Sequence, residues 1–427
     1  MLRLAEEKEL TRDSAIRRAR LPARVYIPTI QHFGKPCDKI LVKAGDIVKT
    51  GQMLATSDSG LFSPIHSSIS GKVVSIASYP HPLLGKTNAI TIESDGKGER
   101  IPFSSRSRES VESLSKDKIR EIIFGAGIVG LGGAGFPSHI KLNPSKPVDT
   151  FILNGAECEP YLNVDYRIII ESTGEIVMAL EIIERMLGTK QIIIAIEDNK
   201  KEAIDKFNSF LLPKHWKIKV LKTRYPQGGE KQLITSVLNR EVPSGGLPFD
   251  IGVVVHNVGT VLAIYEAVYE NKPLYERAVT ITGKCLENPG NFLVRIGTTV
   301  RDLLADCGPL KEEPAKVIFG GPMMGVAQYS LDAPIIKTTS GIIFFTKDEL
   351  ALKENRVCCR CARCIDVCPA RIIPATIGMA AEKERWDIAK DYDVFDCIEC
   401  GLCSYVCPAK RDLVQLIKYA KARLKPK

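Results

Sequence analysis

Apolar positions along the chain change their period several times, and each change marks a different kind of element. Between residues 35 and 96, short β-branched runs alternate with Gly-Asp turns, which predicts a set of short strands. SKDKIREIIFG then spaces Ile119, Ile122 and Ile123 as one face of a helix, with Ser115 as its N-cap. TFILNGAE at 150–157 is the first strong strand, and TVLAIYEAVYE at 260–270 returns to a helical period behind Asn257 and Thr260. AVTITG, the turn ENPGN and FLVRI predict a strand pair, followed by a helix VRDLLADC capped by Thr298 or Thr299. Residues 371–396 then read as helix-rich. Ile377, Ala380 and Ala381 share one helical face, and Leu413, Leu416, Ile417 and Ala420 share another in the C-terminal KRDLVQLIKYAKARLKPK.

A length of 427 residues predicts three or four units. Hydrophobic content of 44% with 26% charged residues is that of a soluble globular chain. No apolar run reaches the roughly eighteen residues of a membrane helix, and the best stretch, 251–265, carries His256 and Asn257. The N-terminal MLRLAEEKELTRD lacks the apolar core of a secretory signal, so a cytoplasmic setting is expected. The formal charge of +9 is concentrated at the tail, where residues 410–427 hold seven bases and one acid. Such a tail suits a solvated helix face, an acidic partner or lipid headgroups. Without a nucleic-acid-binding motif, a nucleic-acid partner is not expected.

The cysteines change the picture more than the charge does. Nine of thirteen fall between Cys358 and Cys407, clustering that points to metal and not to disulfides. Two C-x-x-C-x-x-C-x-x-x-C-P runs are present, each able to cap three corners of a cubane while its last cysteine crosses to the other cluster. One [4Fe–4S] cluster is therefore assigned to Cys358, Cys361, Cys364 and Cys407, the other to Cys397, Cys400, Cys403 and Cys368. A pair of zinc sites would want two separated C-x-x-C pairs and no third cysteine in step. Cys359 is left as a spare.

GAGIVGLGGAGFPSHIK at 125–141 matches G-x-G-x-x-G twice, yet a dinucleotide fingerprint should follow a strand and open a helix. Here the glycines follow a helix and precede the strand, so Gly125 and Gly127 are read as the end of that helix. From Gly130 onward, GLGGAGFPSHIK leads to NGAECEP (154–160), PQGGEKQLI (226–234) and HNVGTVLAI (256–264). In that order these segments resemble the flavin- and NADH-binding subunit of respiratory complex I. The resemblance implies noncovalent FMN and NAD(H) held by Gly130, Gly132, Gly133, Gly135, Phe136, Lys141, Asn154, Glu157, Glu159, Gly229, Glu230, Asn257, Val258 and Thr260. Close-set glycines admit a flat ring and phosphate, Lys141 brings charge, and the helix opened by Asn257 and Thr260 suits a phosphate. Taken singly, Glu157 and Glu159 also read as strand-end charges, and Thr260 as a plain cap. The chain departs from that family at Leu131, where an arginine is expected, and at Lys231, where a second acid is expected.

The flanks carry two further resemblances. Residues 35–96 are similar to biotinyl/lipoyl barrel-sandwich domains, but the carrier lysine's place at the hairpin tip is taken by His66-Ser67-Ser68, and Lys72 lies beyond the Gly71 turn. A structural or docking role is expected in place of a swinging arm. Residues 277–307 resemble a soluble-ligand-binding β-grasp (SLBB) unit, with or without a ligand of its own; the glycine turn KVIFGGPMMG at 316–325 is expected near the clusters.

The expected fold is multidomain α/β. It comprises an N-terminal extension (1–29), a barrel-sandwich hybrid (30–112), a Rossmann-like FMN/NAD(H)-binding domain (113–272), a β-grasp domain (273–348) and a helical dicluster ferredoxin domain (349–427). In this order, with IPTIQHFGKPCDK near the start, the chain is identified as a member of the RnfC family, a component of Rnf electron transport complexes. That resemblance implies the NADH-facing member of a ferredoxin:NAD⁺ oxidoreductase, peripheral on the cytoplasmic face of the membrane. It would exchange hydride between NAD(H) and FMN and pass single electrons through two [4Fe–4S] clusters. The implied partners are membrane-embedded subunits that move Na⁺ or H⁺, ferredoxin-like subunits and, indirectly, ferredoxin. A soluble carrier of the proline-reductase type shares these motifs. A cobalamin reductase begins at the flavin domain, and a metal-bearing scaffold would need no flavin.

Overall fold

The computed structural model describes residues 1–350 and 356–424. Its first unit is a sandwich of two antiparallel sheets. Strands Arg24–Pro28, Gly85–Ser94, Gly71–His81 and Ile47–Val48 form one sheet, and Lys39–Ile40, Met53–Thr56 and Ile65–His66 the other. Inward positions of the register pairs Val25–Ile92, Ile27–Ile90 and Val73–Ile92 meet Leu54 and Ile65 in a closed apolar core. His66, Ser67 and Ser68 are buried, and Ser68 Oγ donates to the Ile296 carbonyl at 2.5 Å. What would be a carrier's exposed tip is here a contact with the β-grasp unit.

The central unit is a four-stranded parallel sheet in the order Trp216–Leu221, Gln191–Glu197, Thr150–Gly155, Val253–Asn257. Its strands read as near-continuous apolar runs because both faces are covered. Phe151, Leu153, Ile192 and Ile194 face the helices Lys116–Gly125, Val164–Leu187 and Val258–Glu270. Ile152, Ile193, Val253 and Val255 face the helix Glu230–Leu238. The chain steps from the Thr150 strand to one side and later returns on the other, so strand order reverses between Gly155 and Asn257. Crevices at such a reversal, outside the carboxyl ends of the strands, are where open α/β sheets bind ligands. The preceding helix behaves as its pattern predicts. Ser115 Oγ accepts from Lys118 N, the helix ends at Gly125, and Gly127 turns the chain with φ +70°.

The third unit is a six-stranded sheet built from Glu276–Thr282, Gly290–Arg295, Gly341–Phe345, Lys316–Phe319 and Val326–Ala327, with Ile16–Arg18 as an added edge strand parallel to Gly290–Arg295. Of the two expected caps, Thr299 is the one used, accepting from Asp302 N; the helix it opens is one turn, Val300–Leu303. Residues 1–29, set apart by sequence as an extension, are tied to three units. Leu2 bridges Tyr225, Ile16–Arg18 joins the β-grasp sheet, and Arg24–Pro28 joins the sandwich.

The cysteine-rich unit repeats itself. One-turn helices Arg363–Asp366 and Leu402–Tyr405 lie within the two runs, and the longer helices Pro374–Glu382 and Leu413–Leu424 pack against each other. The repeat extends to the backbone: Arg360 and Glu399, Ala362 and Gly401, Arg371 and Lys410 are matched pairs in left-handed conformation. The C-terminal helix buries Leu413, Val414, Ile417 and Ala420, the last two against Ile377, Ala380 and Ala381. Its apolar face is therefore spent inside the unit, and simple packing is the reading that fits. Lys421 also turns inward, donating to Cys397 O at 2.6 Å and Glu399 Oε1 at 2.9 Å.

Candidate flavin crevice and cysteine cavities

Asn154 and Asn257 end neighbouring strands in register at the strand-order reversal. Asn154 donates from Nδ2 to Gly228 O at 2.9 Å and accepts from Ala156 N at 3.1 Å, tying the strand end to the Gly228-Gly229 turn. Asn257 caps the Val258–Glu270 helix by accepting from Gly259 N at 2.8 Å. Its Nδ2 donates to Asp165 Oδ2 at 2.6 Å, so the amide's orientation is set from both sides. Val258 and Thr260 in the first turn are buried, and Thr260 Oγ1 accepts from Leu131 N at 2.9 Å.

The glycine loop is closed by Gly130 N donating to Phe136 O at 2.9 Å, and it leaves Gly132, Gly133 and Ala134 exposed. Two of its glycines are needed for space. A Cβ on Gly132 would lie 2.8 Å from Asn257 Nδ2, and one on Gly135, with φ +74°, 2.7 Å from a Thr338 methyl. Lys141 pairs with Glu230 at 2.5 Å, joining the helix behind the loop to the first residue after Gly229. Lys231 points elsewhere, toward Pro243 O at 3.4 Å.

The two acids of NGAECEP are already engaged within the protein. Glu157 accepts from Asp165 N at 3.0 Å and Tyr166 N at 3.3 Å, and so caps the Val164–Leu187 helix, whose own N-cap Asn163 makes no side-chain bond there. Its backbone carbonyl takes Lys8 Nζ at 2.6 Å. Glu159 accepts from Met323 N at 3.2 Å and Met324 N at 3.0 Å in the glycine turn of the β-grasp unit. Burial pushes its carboxyl up to about 7 despite those donors. Cys158, between them, accepts from Gly228 N at 3.3 Å, and burial pushes its thiol up to about 12.

Several residues of the crevice carry no motif. Asp165 is the partner of Asn257, and burial together with the neighbouring Glu157 pushes its carboxyl up. Tyr225, 1% exposed, donates to Cys400 O at 2.7 Å and lies 3.3 Å from Glu159 Oε1. Two buried basic side chains reach the glycine segment from the β-grasp unit. Lys337 Nζ donates to Gly127 O at 2.7 Å and Pro64 O at 2.6 Å, and Arg277 Nη1 to Leu131 O at 3.4 Å. Tyr225 adjoins a quoted turn and could have been suspected; Arg277 and Lys337 lie far away in sequence and gave no signal.

The cysteines gather around two cavities. Cys358, Cys361, Cys364 and Cys407 line one, together with Cys359, and Cys368, Cys397, Cys400 and Cys403 line the other. The last cysteine of each run has crossed to the other run's cavity, as the spacing predicts. The thiols ring each cavity, and among the described residues no three potential ligands converge on a single-ion position. Cys359 and Cys361 are exposed, whereas Cys400 and Cys403 are buried; burial and neighbouring thiols push these two up to about 11 and about 12. The buried set adjoins the crevice: a Cβ on Gly401 would stand 2.6 Å from Met323 O, and one on Gly229 3.8 Å from Ile398 Cδ1. The expected position of the 316–325 turn near the cysteines is thereby met.

Four family models match in sequence order. They are the RnfC barrel sandwich hybrid domain over 2–97, the Nuo51 FMN-binding domain over 123–266, the SLBB domain over 278–327 and the 4Fe-4S dicluster domain over 351–408. Among curated proteins, the chain is 47% identical over 420 residues to the C component of the proton-translocating ferredoxin:NAD(+) oxidoreductase complex of Clostridium ljungdahlii, covering 98% of this chain and 92% of that one. It is 41% identical to the Na(+)-translocating counterpart of Acetobacterium woodii, covering 98% and 94%. To the C component of the ion-translocating oxidoreductase complex of Rhodobacter capsulatus it is 38% identical, covering 98% and 81%.

Proposed function

The chain belongs to the RnfC family, the C components of ion-translocating ferredoxin:NAD(+) oxidoreductase complexes, and from that premise we propose that it is the complex's NAD(H)-reactive member, carrying one FMN and two [4Fe–4S] clusters. The residues present suit these groups. The exposed tip Gly132–Ala134 lies beside the capped start of a thirteen-residue helix, a setting for a phosphate and a flat ring. The two thiol-lined cavities suit cubanes, whose cysteine ligands stand farther apart than those of one zinc ion. A flavin supplies two-electron exchange with nicotinamide and one-electron exchange with Fe–S clusters.

The protein's own contribution is placement. Asn154 and Asn257 fix the crevice floor, Lys141 and Glu230 one wall, and Glu159 ties Tyr225 to the β-grasp turn. The observation that carries the proposal is the Tyr225 hydroxyl on Cys400 O, which joins the crevice directly to the buried thiol set. The Cys368/Cys397/Cys400/Cys403 set is therefore the inner one, and the Cys358 set, with exposed Cys361, faces outward to a partner protein. No helix among the described residues is long and apolar enough to cross a membrane. A peripheral position on the cytoplasmic face, held by membrane-embedded subunits and in indirect contact with ferredoxin, completes the reading.

The test is anaerobic purification followed by metal analysis and visible spectra before and after NADH. About eight irons and one flavin per chain, both bleaching with NADH, are expected. Zinc in place of iron, or flavin bands unmoved by NADH, would overturn the proposal.

A further inference from the structure

We propose that Arg277, carried by the strand Glu276–Thr282 of the β-grasp unit, is a positioning residue of the flavin crevice, supplying from outside the α/β unit the cation that the glycine loop lacks at Leu131. The inference rests on the flavin reading above and deepens it. Arg277 is 6% exposed, and its bonded acceptors are the backbone carbonyls of Leu131, Lys337 and Ala278. No bonded carboxylate among the described residues cancels its charge. A guanidinium so placed, in a poorly solvated site, stabilises negative charge on a ligand in the adjoining crevice.

The local bonding runs from Arg277 through the loop to Asp165. The Leu131 peptide is gripped at both ends, its N–H by Thr260 Oγ1 at 2.9 Å and its carbonyl by Arg277. Gly132 then rests on Asn257, whose amide is oriented by Asp165. Burial lowers the pKa of the Arg277 guanidinium, and the charge of Asp165 offsets this in part through space, without a hydrogen bond between the two. Three separate segments of chain thus fix the exposed loop tip through Arg277 and Asp165, which carry opposite signs. Charge near the ring is one of the levers by which a protein tunes a flavin. A cation favours the reduced, more negative form, and an anion disfavours it.

The experiment uses the full-length chain with its clusters, stripped of flavin and titrated with FMN at pH 8. Fluorescence quenching reads affinity, spectroelectrochemistry reads the flavin midpoint potential, and iron content monitors folding. Arg277→Gln is expected to weaken FMN binding about tenfold and to move the potential to more negative values, with Arg277→Lys restoring it toward wild type. Asp165→Asn is expected to move it the opposite way, which mere loosening of the loop would not do. Arg277→Gln with wild-type affinity and potential, or the two neutralised variants shifting in the same direction, would overturn the proposal. Should Arg277→Gln lose its iron, Asp165→Asn decides: a potential that stays put or falls refutes the assignment. Wild-type chain that takes up no FMN overturns the flavin reading itself, and with it this one.

Discussion

Gly401→Ala offers a sharp perturbation because the internal repeat supplies its own control. Gly401 has φ +76°, and its counterpart Ala362 holds a Cβ at φ +61° in the same place of the other run. The backbone cost of a side chain there is about 1–2 kcal/mol, and Ala362 demonstrates that the fold tolerates it. What differs is the neighbour, since a Cβ on Gly401 would meet Met323 O at 2.6 Å. Relieving that overlap requires the β-grasp turn to retreat, at about 1–3 kcal/mol. Only the overlap acts on the contact, because the backbone strain persists when the turn opens, so the contact weakens by about 1–3 kcal/mol, whereas Ala362→Gly is near neutral because relief of strain offsets the entropy of glycine. The amides of Met323 and Met324, both bonded to Glu159, report the opening by hydrogen exchange. Even the lower figure raises their exchange about fivefold, with iron content unchanged. Wild-type protection of these two amides in Gly401→Ala, or equal loss in Ala362→Gly, would refute the claim that Gly401 exists to let the turn approach.

The crossed ligand sets make a separable forecast. Cys407→Ser should remove the same cluster signal as Cys361→Ser, and Cys368→Ser the same as Cys400→Ser, each leaving about four irons; pairing by run would contradict the cavity assignment. Glu159→Gln tests the pH linkage. The Glu159 carboxyl is raised to about 7 by burial, so the folded protein binds the extra proton and loses stability as pH rises from about 4.5 to about 7. Between pH 5 and pH 8 the thermal midpoint of Glu159→Gln should therefore gain on wild type, by the equivalent of about 1–3 kcal/mol. A gap that does not depend on pH counts against this account.

Local signals were legible where the physics is local. Ser115, the end of its helix at Gly125, the Asn257 cap and the cysteine spacing all follow from neighbours within a few residues, and each is found as read. The C-terminal helix shows what such reading leaves out. Its apolar face was plain, but whether a partner or its own unit covered that face depends on the Pro374–Glu382 helix, which packs there. Glu157 is a similar case. Its place in the motif suggested a ligand, yet the Val164–Leu187 helix starts without a side-chain cap from Asn163, and Glu157 fills that role. Arg277, Lys337 and Lys8 reach the crevice from distant segments, and no periodicity or spacing encodes that.

The repeat and its surroundings together give the cysteine unit a direction. Two runs with matching spacing and matching left-handed turns would hold two equivalent clusters if nothing else touched them. Among the described residues the second run bonds to the crevice, whereas the first reaches it through Val367, which packs in the cluster of Tyr225 and Met323. Tyr225 bonds Cys400 O, Met323 closes on Gly401, and Cys400 and Cys403 are buried, while Cys359 and Cys361 in the other run stay exposed. Cluster potentials respond to solvent exposure and to hydrogen bonds around the sulfurs. A symmetric ligand framework thus becomes an inner and an outer site through its neighbours alone, and those neighbours come from the α/β and β-grasp units. The crevice depends on the same contacts, since Glu159 reaches the Met323 turn and Leu131 is held by Arg277. Removing the β-grasp unit would therefore disturb both the glycine loop and the inner thiol set, so neither site is the property of one domain.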